Sequence, residues 1–250
     1  MKKFLLATAL AFAPLAAIQA APADVAAAVS APGRPEAATA LDAGRRPAEV
    51  LRFEGLRQGD RALDLFTGSG YFAEILGRAV GPQGHVVAWE PANFVNERSR
   101  AGLAAIRQRT PNFSWFASPN DALALPAAAF DFVVINLNYH DTYWESARYR
   151  FARMDPDGFL RTVFQSLKPG GTVLVIDHVA NPGRDTRAEV EANHRILPAT
   201  ARADFERAGF VFDGESDLLR NPADDHTKGV FDPSIRGRTD RFVYRFRRPR

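Results

Sequence analysis

The sequence predicts an α/β protein built on a doubly wound, mostly parallel sheet. Three observations carry that reading. Residues 62–71 (Ala-Leu-Asp-Leu-Phe-Thr-Gly-Ser-Gly-Tyr) run from an apolar stretch into two glycines separated by one residue, and Phe72, Ile75, Leu76, Ala79 and Val80 follow at helical spacing. A strand feeding a glycine turn and a helix is how an open α/β sheet makes a crevice at its carboxyl edge, because glycine lets backbone approach a ligand and accepts positive φ. Short β-branched runs then alternate with helical patterns, which implies parallel strands joined by right-handed crossovers. Runs such as Phe132-Val133-Val134-Ile135 are apolar on both faces, as a buried parallel strand requires.

The elements follow in order. Met1-Lys2-Lys3, an apolar stretch from Phe4 to Ile18 and small residues at Ala20 and Ala21 have the layout of a secretory signal peptide over 1–20, cleaved after Ala20 or Ala23. Export to the periplasm or beyond is therefore expected, and the run is too short and too interrupted by Pro14 to anchor the mature chain stably in a membrane. Residues 21–40 are rich in Ala and Pro without apolar periodicity and read as a flexible segment. One domain is expected over 41–250, with Pro47 opening a helix that carries Val50 and Leu51. Strands are expected at 62–66, 85–89, 113–117, 130–136 and 172–177, and helices at 72–80, 95–109 and 157–167. A helix ending at Ala208-Gly209 leads into a strand at 210–212, and alternating Phe242, Tyr244 and Phe246 mark the last strand. Between them lies a polar loop over 213–240, long enough to read as a lid over a site.

The 250 residues carry a formal net charge of only +3. The arginines are scattered apart from Arg245, Arg247, Arg248 and Arg250, which argues against a nucleic-acid interface. The chain has no cysteine, so disulfides and thiol catalysis are excluded. Asp224, Asp225 and His226 are metal-ligand types, but they sit together beside prolines with no separated partner ligand, so a solvated loop and no metal are expected.

Gly68-Ser69-Gly70-Tyr71-Phe72-Ala73 formally satisfies the dinucleotide pattern G-x-G-x-x-G/A, which keeps an NAD-dependent oxidoreductase among the readings. Asp64, inside the strand before the first glycine, is not part of that fingerprint. Asp64-Leu65-Phe66-Thr67-Gly68-Ser69-Gly70 instead resembles the first motif of class I S-adenosylmethionine-dependent methyltransferases, with Phe66 where that family usually has glycine. Glu90 after the second strand, Ser118-Pro119-Asn120-Asp121 after the third and Leu167-Lys168-Pro169-Gly170-Gly171 before the fifth extend the resemblance. Within the family the chain looks most like a group of exported bacterial methyltransferases, through Leu219-Arg220-Asn221-Pro222, Val230-Phe231-Asp232-Pro233 and Gly237-Arg238-Thr239-Asp240-Arg241-Phe242.

The resemblance implies a Rossmann-like, seven-stranded sheet with an antiparallel C-terminal hairpin. It implies S-adenosyl-L-methionine as cofactor, held by Asp64, Phe66, Thr67, Gly68, Ser69 and Gly70 around the turn, with Glu90 on the ribose hydroxyls. Asn120 or Asp121 would meet adenine, and Asn136 would face the ligand from the fourth strand. Asp64 equally suits a cap of the glycine turn, and Glu90 an exposed strand-end acid. Acceptor-side candidates follow the fourth strand, where this architecture places reacting groups. His140 is the expected base near neutral pH, with Tyr139, Asp141 and His194 as further catalytic candidates and His178 after them. Tyr139 and Trp144 are expected to form an aromatic wall. The function expected is methyl transfer to an unidentified small molecule. An exported, catalytically silent nucleoside-binding protein on the same fold is the alternative.

Overall fold

The computed structural model describes residues 20–250, so all but the last residue of the expected signal peptide lies outside the described residues. The sheet strands are β1 (Arg61–Leu65), β2 (His85–Pro91), β3 (Phe113–Ser118), β4 (Phe130–Asn136), β5 (Leu167–His178), β6 (Val211–Ser216) and β7 (Arg241–Arg247). They lie in the order β3-β2-β1-β4-β5-β7-β6. β7 runs antiparallel to β5 and β6 on either side of it, so the other six strands are parallel. The expected seven-stranded sheet and C-terminal hairpin are therefore present.

The chain winds outward from β1 through β2 to β3 in one direction and from β4 to β5 in the other. The crevice of such a sheet opens at that reversal, beyond the carboxyl ends of β1 and β4. Helices cover both faces. α4 (Pro47–Glu54) precedes β1, α5 (Tyr71–Val80) and α6 (Glu97–Arg109) follow β1 and β2, α7 (Pro156–Ser166) precedes β5, and α9 (Pro198–Arg207) precedes β6. Phe132 and Val134 join the core on the α5 side, whereas Val133 and Ile135 join the core on the α7 side. That alternation within one apolar run is what makes β4 a central strand.

Two expectations are corrected. Residues 21–40 are not a flexible tail. α1 (Val25–Ser30), capped by the Asp24 carboxylate, buries Val25 and Ala28 in the core that α5 shares, and α2 (Glu36–Thr39) follows. Alanine is the best helix former, and its small side chain allows close packing. Arg34, 8% exposed, fixes the segment through a 2.7 Å ion pair with Asp42.

The loop after β6 is likewise not simply solvated. Arg195 is fully buried and pairs with Asp224 at 3.0 Å, while its Nη1 and Nε donate to the carbonyls of Val179 and Lys228. Asp224 also accepts the Asp240 amide at 2.7 Å, and Asp240 takes Arg220 and His226. Only Asp225 of the Asp224-Asp225-His226 run stays exposed. Residues without sequence periodicity are thus anchored by one buried ion pair that the sequence does not advertise.

Lys168-Pro169-Gly170-Gly171 opens β5. Gly170, at φ 84°, donates to the Arg248 carbonyl, and Lys168 pairs with Asp131 at 2.8 Å. These contacts make the motif a structural turn, far from the crevice edge.

Candidate active site

The glycine turn is assembled from β1 outward. Asp64 is buried, and its Oδ2 accepts the Thr67 hydroxyl at 2.7 Å and the Ala73 amide at 3.0 Å. Burial raises its carboxyl to about 7, against the pull of those two bonds and of Arg45. Of its two expected roles, Asp64 demonstrably fills the one of clamp, tying the turn to the first turn of α5. Phe66 stands at φ 56°, a conformation that costs a non-glycine residue roughly 1–2 kcal/mol. Burial of its ring against Trp89 (4.9 Å between centroids) and Phe159 (5.8 Å) offsets that strain. The Phe66 side chain therefore packs beneath the turn, and neither it nor Thr67 lines either of the two cavities described below.

Gly68 (φ 57°) and Gly70 (φ 81°) complete the turn. A Cβ on Gly70 would sit 2.4 Å from Ile106 Cδ1, so α6 closes directly over that residue. A Cβ on Gly68 would meet only open space. The Gly68 amide donates to Glu90 Oε2 at 2.7 Å, and Glu90 Oε1 makes no hydrogen bond among the described residues. Burial raises the Glu90 carboxyl to about 7, helped by nearby Asp64 and Asp141. Gly68, Ser69, Gly70 and Glu90 line one cavity of about 530 Å³ with Asn96 and Ser99 of the α6 capping box. An open space above a glycine and an acid with a spare oxygen fit the ribose end of an adenosyl ligand.

The adenine candidates fare differently. Asn120 is engaged elsewhere and does not line that cavity: its amide nitrogen donates to the Ala152 carbonyl at 2.6 Å and its oxygen accepts the Ala152 amide at 3.1 Å. A buried carboxamide satisfies itself on backbone where backbone passes close, and here that pins the 152 segment. Asp121 is exposed and Asn136 half-buried, and neither lines the cavity. Asn96, Ser99 and Tyr71 do, and the sequence signal that could have found the first two is the Asn-x-x-Ser capping pattern.

A second cavity of about 1290 Å³ opens beyond β4 and β5 and shares Phe94 with the first. His140 lies on its wall, in the short 3₁₀ turn Tyr139–Tyr143 that follows β4. Its Nδ1 bonds Asp177 Oδ1 at 2.8 Å, and its backbone amide donates to Asp177 Oδ2 at 2.8 Å. Its Nε2 lies 3.4 Å from Asp141 Oδ1. Burial pulls the His140 imidazole down, but Asp177 and Asp141 outweigh it and carry it up to about 9. Asp177, the penultimate residue of β5, is fully buried; burial alone would raise it, yet the His140 charge and bonds hold it below the usual carboxylate range. Sequence reasoning missed Asp177, although an acid closing the apolar run 173–176 was the available signal.

His178 bonds Thr239 at 2.7 Å, and burial together with the charges of His140, Arg241 and Arg195 drives it down to about 3, against the pull of Asp177. His194 ends α8 (Thr186–Asn193), with its ring 5.6 Å from His140, 5.4 Å from Trp144 and 5.0 Å from Phe231. Burial and the His140 charge lower it. Tyr139 is corrected: its hydroxyl donates to Asp204 at 2.8 Å and its ring packs on Phe205, inside the core and off the cavity. The helical twist of the 3₁₀ turn sends adjacent side chains to different sides, so His140 and Trp144 face the cavity while Tyr139 does not. The long loop contributes Val230, Phe231, Arg236 and Arg238 to the wall.

Residues 39–215 match the model of a family described as a methyltransferase domain. The chain belongs to this methyltransferase family. With the sheet described above it is a class I methyltransferase, and S-adenosylmethionine is its expected cofactor. The ubiquinone/menaquinone biosynthesis C-methyltransferase UbiE of Pasteurella multocida is 31% identical over 125 residues, which cover 49% of this chain and 41% of that protein. The methyltransferase chain thus spans less than half the length of that relative. Among solved structures, a SAM-dependent methyltransferase from Aquifex aeolicus aligns with a TM-score of 0.57 at 17% identity, covering 80% of this chain and 87% of that one. The [4+2]-cyclase SpnF aligns with a TM-score of 0.59 at 18% identity, covering 93% and 87%. Those likenesses concern the fold. The oxidoreductase and catalytically silent alternatives gain no support from fold or family. Among the described residues no cluster of three or more His, Asp or Glu is arranged to hold a metal ion, and no helix is long and apolar enough to cross a membrane.

Proposed function

We propose that this methyltransferase moves the methyl group of S-adenosylmethionine to a small molecule held in the larger cavity, with His140 as general base. The observation that carries this is the His140–Asp177 pair on the wall of a cavity that adjoins the glycine-turn crevice at Phe94. The cofactor supplies a methyl group on a sulfonium, an electrophile that needs little beyond alignment with a nucleophile. Glu90 and the Gly68–Gly70 turn hold the adenosyl end. Asp177 binds Nδ1 of His140, which fixes the ring, and Nε2, 3.4 Å from Asp141 Oδ1, takes the acceptor's proton. The likeness to UbiE proteins, named C-methyltransferases, admits an acidic carbon as well as a hydroxyl as the acceptor atom, and both must shed a proton.

A base held up to about 9 is a cation at neutral pH, so proton removal near pH 7 runs through a minor neutral fraction. Methyl transfer from labelled S-adenosylmethionine should therefore rise about tenfold per pH unit and level off near pH 9. A profile that levels off below pH 6.5 would instead make the lowered His194 the base. Absence of S-adenosylhomocysteine binding by calorimetry would reject the reading altogether.

We also propose that the chain is exported, on the strength of its basic start, apolar run and small residues at 20–23. Periplasmic protein beginning between residues 21 and 24 is the expected result of N-terminal sequencing, and intact Met1 on cytoplasmic protein would refute it.

A further inference from the structure

The charge of the larger cavity is lopsided. Arg45, Arg148, Arg236, Arg238 and Arg241 line it, against the carboxylates of Asp141 and Glu191. Asp141 is already engaged by the Asn138 amide at 2.9 Å and by His140. Two of these guanidinium groups, those of Arg45 and Arg241, make no ion pair among the described residues. Arg241 is 6% exposed, and its Nη2 and Nε donate only to the carbonyls of Gly44 and Thr239, at 2.7 and 3.3 Å. Its Nη1 makes no hydrogen bond, and it has no ion pair, among the described residues. Arg45, at the end of α3 (Asp42–Arg45), lies 4.3 Å over the Tyr71 ring and has neither hydrogen bond nor ion pair among the described residues. Burial and the neighbouring Arg45 charge lower Arg241 to about 10, against the pull of Asp240.

A buried guanidinium without a paired carboxylate is costly, and the Arg45 charge bears on Arg241. Their arrangement is explained if an anion completes it. The same cavity has aromatic lining: Phe94 stacks on Trp144 at 6.5 Å with 16° between the planes, and His194 bridges Trp144 to Phe231. Phe231, 59% exposed, adds an apolar ring to the cavity wall.

We propose that the acceptor is an aromatic acid, its ring against Phe94, Trp144 and Phe231 and its carboxylate bound by Arg45 and Arg241. The proposal rests on the methyl-transfer reading and names its substrate class. A carboxylate also exists on the methionine end of the cofactor, so the shared chemistry is carboxylate recognition and the test must separate the two sources. Planar guanidinium forks suit a carboxylate because each offers parallel N–H donors.

Calorimetry on the full chain saturated with S-adenosylhomocysteine compares 3-hydroxybenzoate with its neutral counterpart 3-hydroxybenzamide. The acid should bind at least about tenfold tighter, as charge-assisted hydrogen bonds require. Arg45→Met, which removes no hydrogen bond, should reduce that preference to under about threefold while S-adenosylhomocysteine affinity and the melting temperature hold. Arg241→Met should likewise reduce the preference, with a lower melting temperature because it also removes the bonds to Gly44 and Thr239, and Arg45→Lys should restore part of the preference. Equal binding of acid and amide, or no binding of the acid, overturns the proposal. So does an Arg45→Met effect confined to S-adenosylhomocysteine that spares 5′-methylthioadenosine, because that result assigns the pair to the methionine carboxylate. Loss of S-adenosylhomocysteine binding in the unmutated chain would instead overturn the methyl-transfer reading on which this rests.

Discussion

Replacing Asp177 with asparagine removes one negative charge and keeps an oxygen where His140 Nδ1 needs an acceptor. The consequence follows from the balance at His140. Burial alone would hold the imidazole below its ordinary 6.5, and Asp177 with Asp141 carries it to about 9. That difference is worth about 3 kcal/mol, at roughly 1.36 kcal/mol per pH unit. With Asp177 neutral, Asp141 at 3.4 Å alone opposes burial, and the midpoint should drop below 6.5. The sign for stability is set by linkage. A histidine raised in the folded state contributes stabilisation that is complete below pH 6.5 and disappears as pH rises through 9. The unmutated protein should therefore lose about 3 kcal/mol from this source between pH 6.5 and 9.5, whereas Asp177→Asn should show no such loss. Histidine NMR titration reads the midpoint, and urea denaturation at the two pH values reads the stability. A midpoint between 6 and 7 in the unmutated protein, or one that Asp177→Asn does not move, refutes the reasoning.

Three further outcomes are expected. Glu90→Ala should weaken S-adenosylhomocysteine binding about ten- to hundredfold in calorimetry, because a charged acceptor is lost; unchanged affinity in folded protein removes Glu90 from the ribose. Asp224→Ala leaves Arg195 buried without its counter-charge, so denaturation should report a loss of about 3–5 kcal/mol, and limited proteolysis should begin to cut between residues 217 and 240. Burial pushes the Glu54 carboxyl up to about 8, only partly offset by Thr172 and Arg245, so its carboxylate destabilises the fold as pH rises through that value. Glu54→Gln should gain about 2–3 kcal/mol relative to the parent between pH 6 and 9 in urea denaturation, and no pH-dependent gain would mean that Glu54 ionises freely.

The strand–turn–helix at 61–80, the parallel order of the sheet, its antiparallel close and the methyltransferase family could be read from the sequence. Each rests on local chemistry. Gly68 and Gly70 are needed where φ is positive, a strand covered on both faces must be apolar throughout, and Phe242, Tyr244 and Phe246 alternate because β7 buries its two faces unequally. His140 and His194 were legible as types of residue near a strand end or a helix end. What surrounds them was not. Asp177 stands 37 positions from His140 in the chain and becomes its partner only because β4 and β5 are neighbours in the sheet. Asn120 looked free for a ligand until the fold brought residue 152 against it. Tyr139 looked catalytic until the turn aimed it at Asp204. Arg195 and Asp224, or Arg45 and Arg241, carry no mutual signal in the sequence, since a charge's meaning depends on what is left near it after water is removed. Local propensity and periodicity settled the elements, and the burial of charge between distant segments decided which of the polar residues make a site.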